Sequence, residues 1–187
     1  GLLPSLFWLF YYLGKDKHPE PKKMILKFFF WGILITIPTF IVQLFFSMVL
    51  GWLNQFESFT SLAIVADFLK WFVVIALVEE LAKYFMVKFV ALGSKEIDEP
   101  LDIMLYMVVA ALGFASLENV LYIFSPIDGL SFDIIVQKTI AISFIRFIGA
   151  TFLHTLCSAL LGYFVALSYF HLRHRGWLTV LGIFLAI

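Results

Sequence analysis

From Phe28 to Phe56 the chain carries no charged side chain, and almost every residue in that run is aliphatic or aromatic. A membrane span needs about 20 mainly apolar residues, so this run by itself directs the chain into a bilayer. The composition agrees. Of 187 residues, 63% are hydrophobic and 14% charged, with a mean hydropathy of +1.01, whereas soluble domains carry about 25% charged residues. Disordered, collagen-like and coiled-coil chains are excluded on the same grounds. Thirteen basic residues against thirteen acidic ones leave no net field to attract nucleic acid. The single cysteine, Cys157, leaves no internal disulfide.

Phe28–Val49 is the clearest span, and Trp71–Leu92, Leu101–Phe124 and Ala150–Phe170 read as three more. Leu2–Leu13 and Trp177–Ile187 are apolar but too short to cross, and are expected to be pieces of two further helices. The expected fold is therefore all-α: one integral-membrane domain over residues 1–187, a polytopic transmembrane bundle of six or more spans with the terminal ones truncated. The N-terminal piece has neither a basic leader nor a cleavage site and does not read as a signal peptide. Ser131–Gly149, which carries Lys138 and Arg146, is expected to be an interfacial or tilted helix entering the bilayer near Gly149.

Basic residues set the orientation. Lys15, Lys17, Lys22, Lys23 and Lys27 crowd the first connection, Lys88 and Lys95 flank the third, and Arg173 and Arg175 the fifth. The second and fourth, Gly51–Ser61 and Ser125–Gln137, carry none. Alternate connections are expected to be cytoplasmic, with the first residues outside. Pro100 suits a first helical position, preceded by Asp98 and Glu99 and followed by Asp102 in the first turn.

An ionisable residue at mid-span costs about 2.5–3.5 kcal/mol on insertion scales and marks a functional hypothesis. Here these residues are Glu79, Glu80 and Lys83 in the third segment, Glu118 beside Asn119 in the fourth, and Arg146 and His154 in the fifth. Glu79 and Lys83 are i,i+4 and can pair; Glu80 lies about 100° around the helix. His154 and Ser158 are also i,i+4. At about 1.5 Å rise per residue, Glu79, Glu118 and His154 fall roughly 12, 9 and 6 Å below the outer boundary, which places all three in the outer half. Ala110, Ala111, Gly113, Ala115 and Ser116 are small enough for close helix packing and belong inside the bundle.

Two glutamates and a histidine converging in a partly dry site suit hydrolysis. A carboxylate can serve as general base for a water, and an imidazole as acid or oxyanion donor. The same donors, Glu79, Glu118 and His154, would also suit a catalytic zinc; the chain has no HExxH.

At these residues the chain resembles the PrsW family of intramembrane proteases. Val78-Glu79-Glu80-Leu81-Ala82-Lys83 is similar to that family's EExxK, Phe114-Ala115-Ser116-Leu117-Glu118-Asn119 to its FxxxEN, and His154-Thr155-Leu156-Cys157-Ser158 to its HxxxS. Pro19-Glu20-Pro21 and Glu99-Pro100-Leu101-Asp102 also fall where that family has similar residues, and the likeness spans Trp8 to Val165. The related CAAX prenyl proteases and bacteriocin-immunity proteins carry EExxxR, FxxxH and HxxxN/D. This chain departs from them at Lys83 and at Glu118, so prenyl-protein processing is not the expected chemistry. The resemblance implies site-one cleavage of a single-pass membrane protein of the anti-sigma-factor kind in a bacterial cell membrane, nearer the extracytoplasmic face. It also implies a catalytic set of Glu79, Glu80, Glu118 and His154, supported by Lys83, Asn119 and Ser158.

Each of these residues has a plainer reading. Glu79, Glu80 and Lys83 could be an ion pair locking helices, Glu118 could be a partner for Lys83 or Arg146, and His154 a helix–helix hydrogen bond. Arg146 reads as an anchor or counter-ion. Cys157 reads as an inert thiol in apolar surroundings, and His171 with His174 as part of a basic flank. The functional rival is a proton- or cation-coupled transporter that uses the same buried groups as a relay. Its usual inverted repeats and Gly/Pro-broken helices are not visible in the sequence. A third reading is a catalytically silent relative that only binds single-pass helices.

Overall fold

The computed structural model describes residues 2–14, 20–53, 63–91, 97–124, 132–170 and 175–187. Lys15, Lys17, Pro19, Lys95, His171, Arg173, His174 and most of the second and fourth connections lie outside the described residues. The elements are α1 (Leu2–Leu13), α2 (Lys22–Leu53), α3 (Ala63–Phe68), a π-helical stretch π1 (Leu69–Leu77), α4 (Val78–Val90), α5 (Pro100–Ile123), α6 (Phe132–Ile148), α7 (Ala150–Phe170) and α8 (Arg175–Ala186). The described residues form an all-α membrane bundle. Lys22–Leu53, Pro100–Ile123 and the nearly continuous Asp133–Phe170 are each long and apolar enough to cross a bilayer.

The expected span at Trp71–Leu92 begins inside π1 and takes in all of α4, with Leu92 outside the described residues; α3, π1 and α4 follow one another without a break from Ala63 to Val90. A uniform α-helix was the expectation; instead nine residues immediately before the glutamate pair are π-helical. Such stretches are rare and recur at functional sites. The segment expected to enter near Gly149 does change there: α6 ends at Ile148 and α7 begins at Ala150. The backbone nevertheless stays hydrogen-bonded through the joint, Gly149 N–H to Ile145 O at 2.8 Å and Leu153 N–H to Gly149 O at 2.8 Å.

α5 is the axis of the bundle. The stretch from Tyr106 to Ser116 is wholly buried, as its small residues led us to expect. α2 runs beside it where Gly32 meets Ala110 and Gly113 meets Phe29; a Cβ on either glycine would strike the facing backbone. α7 packs on another side, where Gly162 lies against Met104 and Met107. The helix start reads as expected: Asp102 Oδ2 accepts the N–H groups of Glu99 at 2.8 Å and Asp98 at 3.1 Å, and Glu99 reciprocates as a capping box. At the same end Tyr106, stacked on Phe28 with centroids 4.4 Å apart, donates its hydroxyl to Glu20. That gives Glu20 a structural task, tying the start of α2 to α5.

The outer faces are apolar and exposed. Phe30, Leu34, Ile37, Ile41 and Phe45 run along α2 in this way, the inverse of a water-soluble helix and the surface a lipid tail would cover.

The glycine contact supplies a stability test. Gly113→Val forces α2 and α5 apart and is expected to cost about 1–3 kcal/mol or more, read as earlier thermal unfolding in detergent. Gly51→Ala, in the same helix with nothing near its Cβ, should leave the transition where it is or raise it slightly, since Ala favours a helix over Gly. Equal behaviour of the two would mean that the α2–α5 crossing is not a tight backbone contact.

Candidate active site

The acidic pair sits in the first turn of α4, with Lys83 one turn further along the same buried face. Their pairing differs from the simplest spacing argument. Lys83 Nζ lies 2.7 Å from Glu80 Oε1 and 3.9 Å from Glu79 Oε2, so the i,i+3 partner is the close one. Lys83 is fully buried. It also meets Nδ1 of His154, on α7, at 3.0 Å and lies 4.7 Å from the centroid of Phe114. Glu80 spends its second oxygen on Ser158, whose hydroxyl donates at 3.0 Å.

These contacts fix the imidazole. A charged ammonium can only donate, so Nδ1 of a neutral His154 accepts from Lys83 and Nε2 carries the proton. Nε2 lies 2.9 Å from Glu118 Oε2, which therefore receives that proton's hydrogen bond. The same oxygen accepts from Arg146 Nη2 at 2.7 Å. Arg146 reaches in from α6, donates through Nε to Asn119 Oδ1, and stands 4.1 Å from the Tyr122 ring centroid. Asn119 passes the link on to Thr151 Oγ1 at 3.0 Å. The plainer expectation for Arg146, a counter-ion, holds geometrically, and its partner is Glu118.

All seven residues singled out in the three motifs thus fall in one cluster built by α4, α5 and α7, six of them linked by hydrogen bonds through Arg146 of α6 and Glu79 joined by ion-pair distances of 3.7 Å to His154 and 3.9 Å to Lys83. Sequence reasoning did not find Gln43. Its side-chain amide on α2 donates to Glu79 Oε1 at 3.0 Å. The available signal was a carboxamide standing in a run with no charge. Cys157, half-buried, makes no contact with the cluster's polar atoms among the described hydrogen bonds.

Glu79 and Glu118 both line a cavity of about 360 Å³ between α2, π1 and α5, together with Phe114 and Gln43. Glu80 is not among its walls. The side chain of Glu118 keeps 20% of its surface exposed, enough to meet a small molecule there; His154, 15% exposed, stands behind Phe114 and Glu118 and is not among the walls.

The donor types of Glu79, Glu118 and His154 suit zinc, but their arrangement does not fit it. Zinc ligands converge on one point at about 2.0–2.2 Å. Here Glu118 stands at Nε2 of the ring and Glu79 at Nδ1, 3.7 Å away, so the imidazole separates the two carboxylates. Lys83 and Arg146 already occupy the positions beside these donors. Among the described residues no group of three or more His, Cys, Asp or Glu is set to hold a metal.

Comparison with known proteins gives one family. The sequence profile described as PrsW family intramembrane metalloprotease matches residues 20–187. The chain is 29% identical to Protease PrsW of Oceanobacillus iheyensis, over 94% of this chain and 70% of that protein. It is 30% identical to Protease PrsW of Geobacillus kaustophilus, over 95% and 68%, and 26% identical to that of Bacillus subtilis, over 96% and 73%. No solved structure matches.

The Lys83 contacts carry a measurable consequence. Lys83→Met leaves Glu80 and Glu79 buried without their cation, a change that costs about 3–5 kcal/mol when a buried pair is broken. Detergent-solubilised protein should unfold earlier, and adding Glu80→Gln to the same chain should recover part of the loss. A Lys83→Met protein as stable as its parent would show that the ammonium does not hold α4 to α7.

Proposed function

The chain belongs to the PrsW family of intramembrane metalloproteases; it is a membrane-embedded protease acting on a protein substrate, and we propose that Glu79, Glu118 and His154 carry its chemistry. That membership sets aside the transporter reading. The observation that carries the proposal is the meeting of two carboxylates, from α4 and α5, in one cavity, with an α7 imidazole beside both.

In this reading a water in the cavity beside Glu79 or Glu118 gives up a proton to that carboxylate and adds through its oxygen to the peptide carbonyl carbon. Nε2–H of His154 hydrogen-bonds the developing oxyanion, and the carboxyl that took the water's proton passes it to the departing nitrogen as the C–N bond breaks. Glu80 holds Lys83, Lys83 holds the imidazole tautomer, and Asn119 with Arg146 holds Glu118; Ser158 anchors Glu80. The substrate we infer is a single-pass membrane protein of the anti-sigma-factor type. We further infer that the chain crosses a bacterial cell membrane several times, with the site nearer the extracytoplasmic face, as the basic loops suggest. A zinc-dependent variant is the second reading, favoured by the family's description as metalloproteases. It would require Lys83 and Arg146 to withdraw so that the three donors could converge.

The test is reconstituted cleavage of a panel of single-pass membrane proteins by wild type, Glu118→Gln and His154→Ala. Each variant should lose at least about 100-fold in rate, the usual scale of a general acid or base, while folding normally. Wild-type cleavage should persist with a strong chelator. Retained cleavage in either variant sinks the residue assignment; chelator loss reversed by zinc moves the mechanism to the second reading.

A further inference from the structure

Towards the ends of α4 and α7 that lie away from Glu79 and His154, a cavity of about 530 Å³ opens between α4, α7 and α8. Its polarity changes with depth. The mouth, formed by the last turns of α4 and α7 and the first of α8, carries Lys88, Ser168, Tyr169 and Thr179. One turn deeper the walls are Phe85, Val165 and Ile183. From Gly176 at the mouth to Ile183 the cavity runs about 10 Å along α8. A Cβ on Gly176 would meet nothing, whereas Gly182 lies against Phe164 and Leu161, so α8 is open against α7 at its start and closed on it below. Phe85 and Val180, on the walls, are exposed, so the cavity is open sideways to lipid.

The cation at the mouth is differently placed from the two at the carboxylates. Lys83 and Arg146 are buried in ion pairs, but Lys88 is exposed, and among the described residues no carboxylate pairs with it. Its ammonium rests on aromatic faces instead, 5.6 Å from the Tyr84 centroid and 5.9 Å from that of Phe85. The sequence puts this end at the membrane surface: Lys88, Lys95, Arg173 and Arg175 gather there, and Trp177, beside Gly176, is exposed as an interfacial tryptophan is. An ammonium among hydroxyls above an apolar floor complements a phosphate diester above acyl chains. Basic pockets between membrane helices on the cytoplasmic side take anionic headgroups in this way. A choline headgroup brings its own positive charge, which Lys88 repels.

We propose that this cleft binds one anionic glycerophospholipid, its phosphate at Lys88 beside Ser168, Tyr169 and Thr179, and the first methylenes of an acyl chain along Phe85, Val165 and Ile183. Seated there, the lipid bridges α4 and α7, the helices that carry Glu79 and His154, and binding to the folded chain alone stabilises it. The proposal does not depend on which residues perform the cleavage. The plainer alternative is an interfacial lysine that snorkels to the surface, meets any anionic headgroup in passing and holds none.

The two are separated by titrating the full chain in detergent with phosphatidylglycerol and with phosphatidylcholine of the same acyl chains, counting bound lipid by native mass spectrometry. One phosphatidylglycerol should be retained per chain, about fivefold or more tighter than phosphatidylcholine, the scale of one lysine at an anionic surface, and it should delay thermal unfolding. Lys88→Gln should lose the preference and Lys88→Arg keep it. Lys27→Gln removes an exposed cation of α2 that lies outside the cavity, on a connection expected at the same surface, and should change nothing. Thr179→Phe keeps every charge but fills the mouth, and should lose the retained lipid. A phosphatidylglycerol with a diazirine in its acyl chain should label α4, α7 and α8 of the wild type, which decides the matter if Thr179→Phe does not fold. Equal retention of the two lipids, equal losses in Lys27→Gln and Lys88→Gln, full retention in folded Thr179→Phe, or label spread along the exposed face of α2 would each overturn the proposal. So would displacement of the lipid by glycerol 3-phosphate, which would make this a site for a soluble phosphate ester. No retained lipid at all, as when a further segment of the chain fills the cavity, overturns it too.

Discussion

One buried ammonium organises the site. Lys83 has no exposed surface, and an isolated charge in such a place would be very costly. It is tolerable because Glu80, Glu79 and His154 surround it and the face of Phe114 covers one side. Those partners come from α4 and α7, so satisfying the lysine fixes how the two helices face each other. It also decides the histidine's proton, since a donor at Nδ1 leaves Nε2 to face Glu118. A lysine suits this better than an arginine. Its three N–H groups can be aimed at separate partners, whereas a guanidinium fork is matched to one carboxylate. At Glu118 the arginine is used instead, and Arg146 serves a carboxylate and an amide on the same turn of α5.

The small residues of α5 make that convergence possible. With Gly113 against Phe29 and Gly32 against Ala110, α2 lies close enough for Gln43, about three turns beyond Gly32, to reach Glu79. Gly162 does the same for α7 against Met104 and Met107. Close backbone approach in one half of the bundle therefore sets side-chain distances in the other, where the cavity lies. Overpacking at the crossing would be felt at the carboxylates as well as in stability.

Much of this was legible in the sequence because it depends on one helix at a time. Hydropathy marks the long spans, helical spacing puts Glu79 and Lys83 on one face, and the small-residue stretch in α5 announces a buried helix. The capping of Pro100 by Glu99 and Asp102 is local and was readable for the same reason. What escaped depends on how helices are rotated against one another. Lys83 is close to Glu80 rather than to Glu79, Gln43 touches Glu79, and of the two cations named as partners for Glu118 it is Arg146, from α6, that takes the close place. Each of these is set by register across a helix pair, which no single-helix periodicity contains. The π-helical stretch before Val78 has no visible marker among Leu69–Leu77, an unbroken apolar run apart from Lys70.

Charge counting bears on the chemistry proposed here. Among the described residues of the cluster, Glu79, Glu80 and Glu118 face the two permanent cations Lys83 and Arg146. With His154 neutral the set therefore holds one unpaired negative charge. A single proton balances it, whereas a divalent cation added to the same groups would leave it one unit positive. In low dielectric either imbalance is felt strongly. A metal-assisted course brings in a hydroxide as well, which cancels the extra charge, so the charge count alone displaces neither cation. Glutamate–histidine hydrolysis uses both where they stand: the carboxylate that takes a proton from water cancels the spare charge at the moment an equal charge appears on the substrate oxygen.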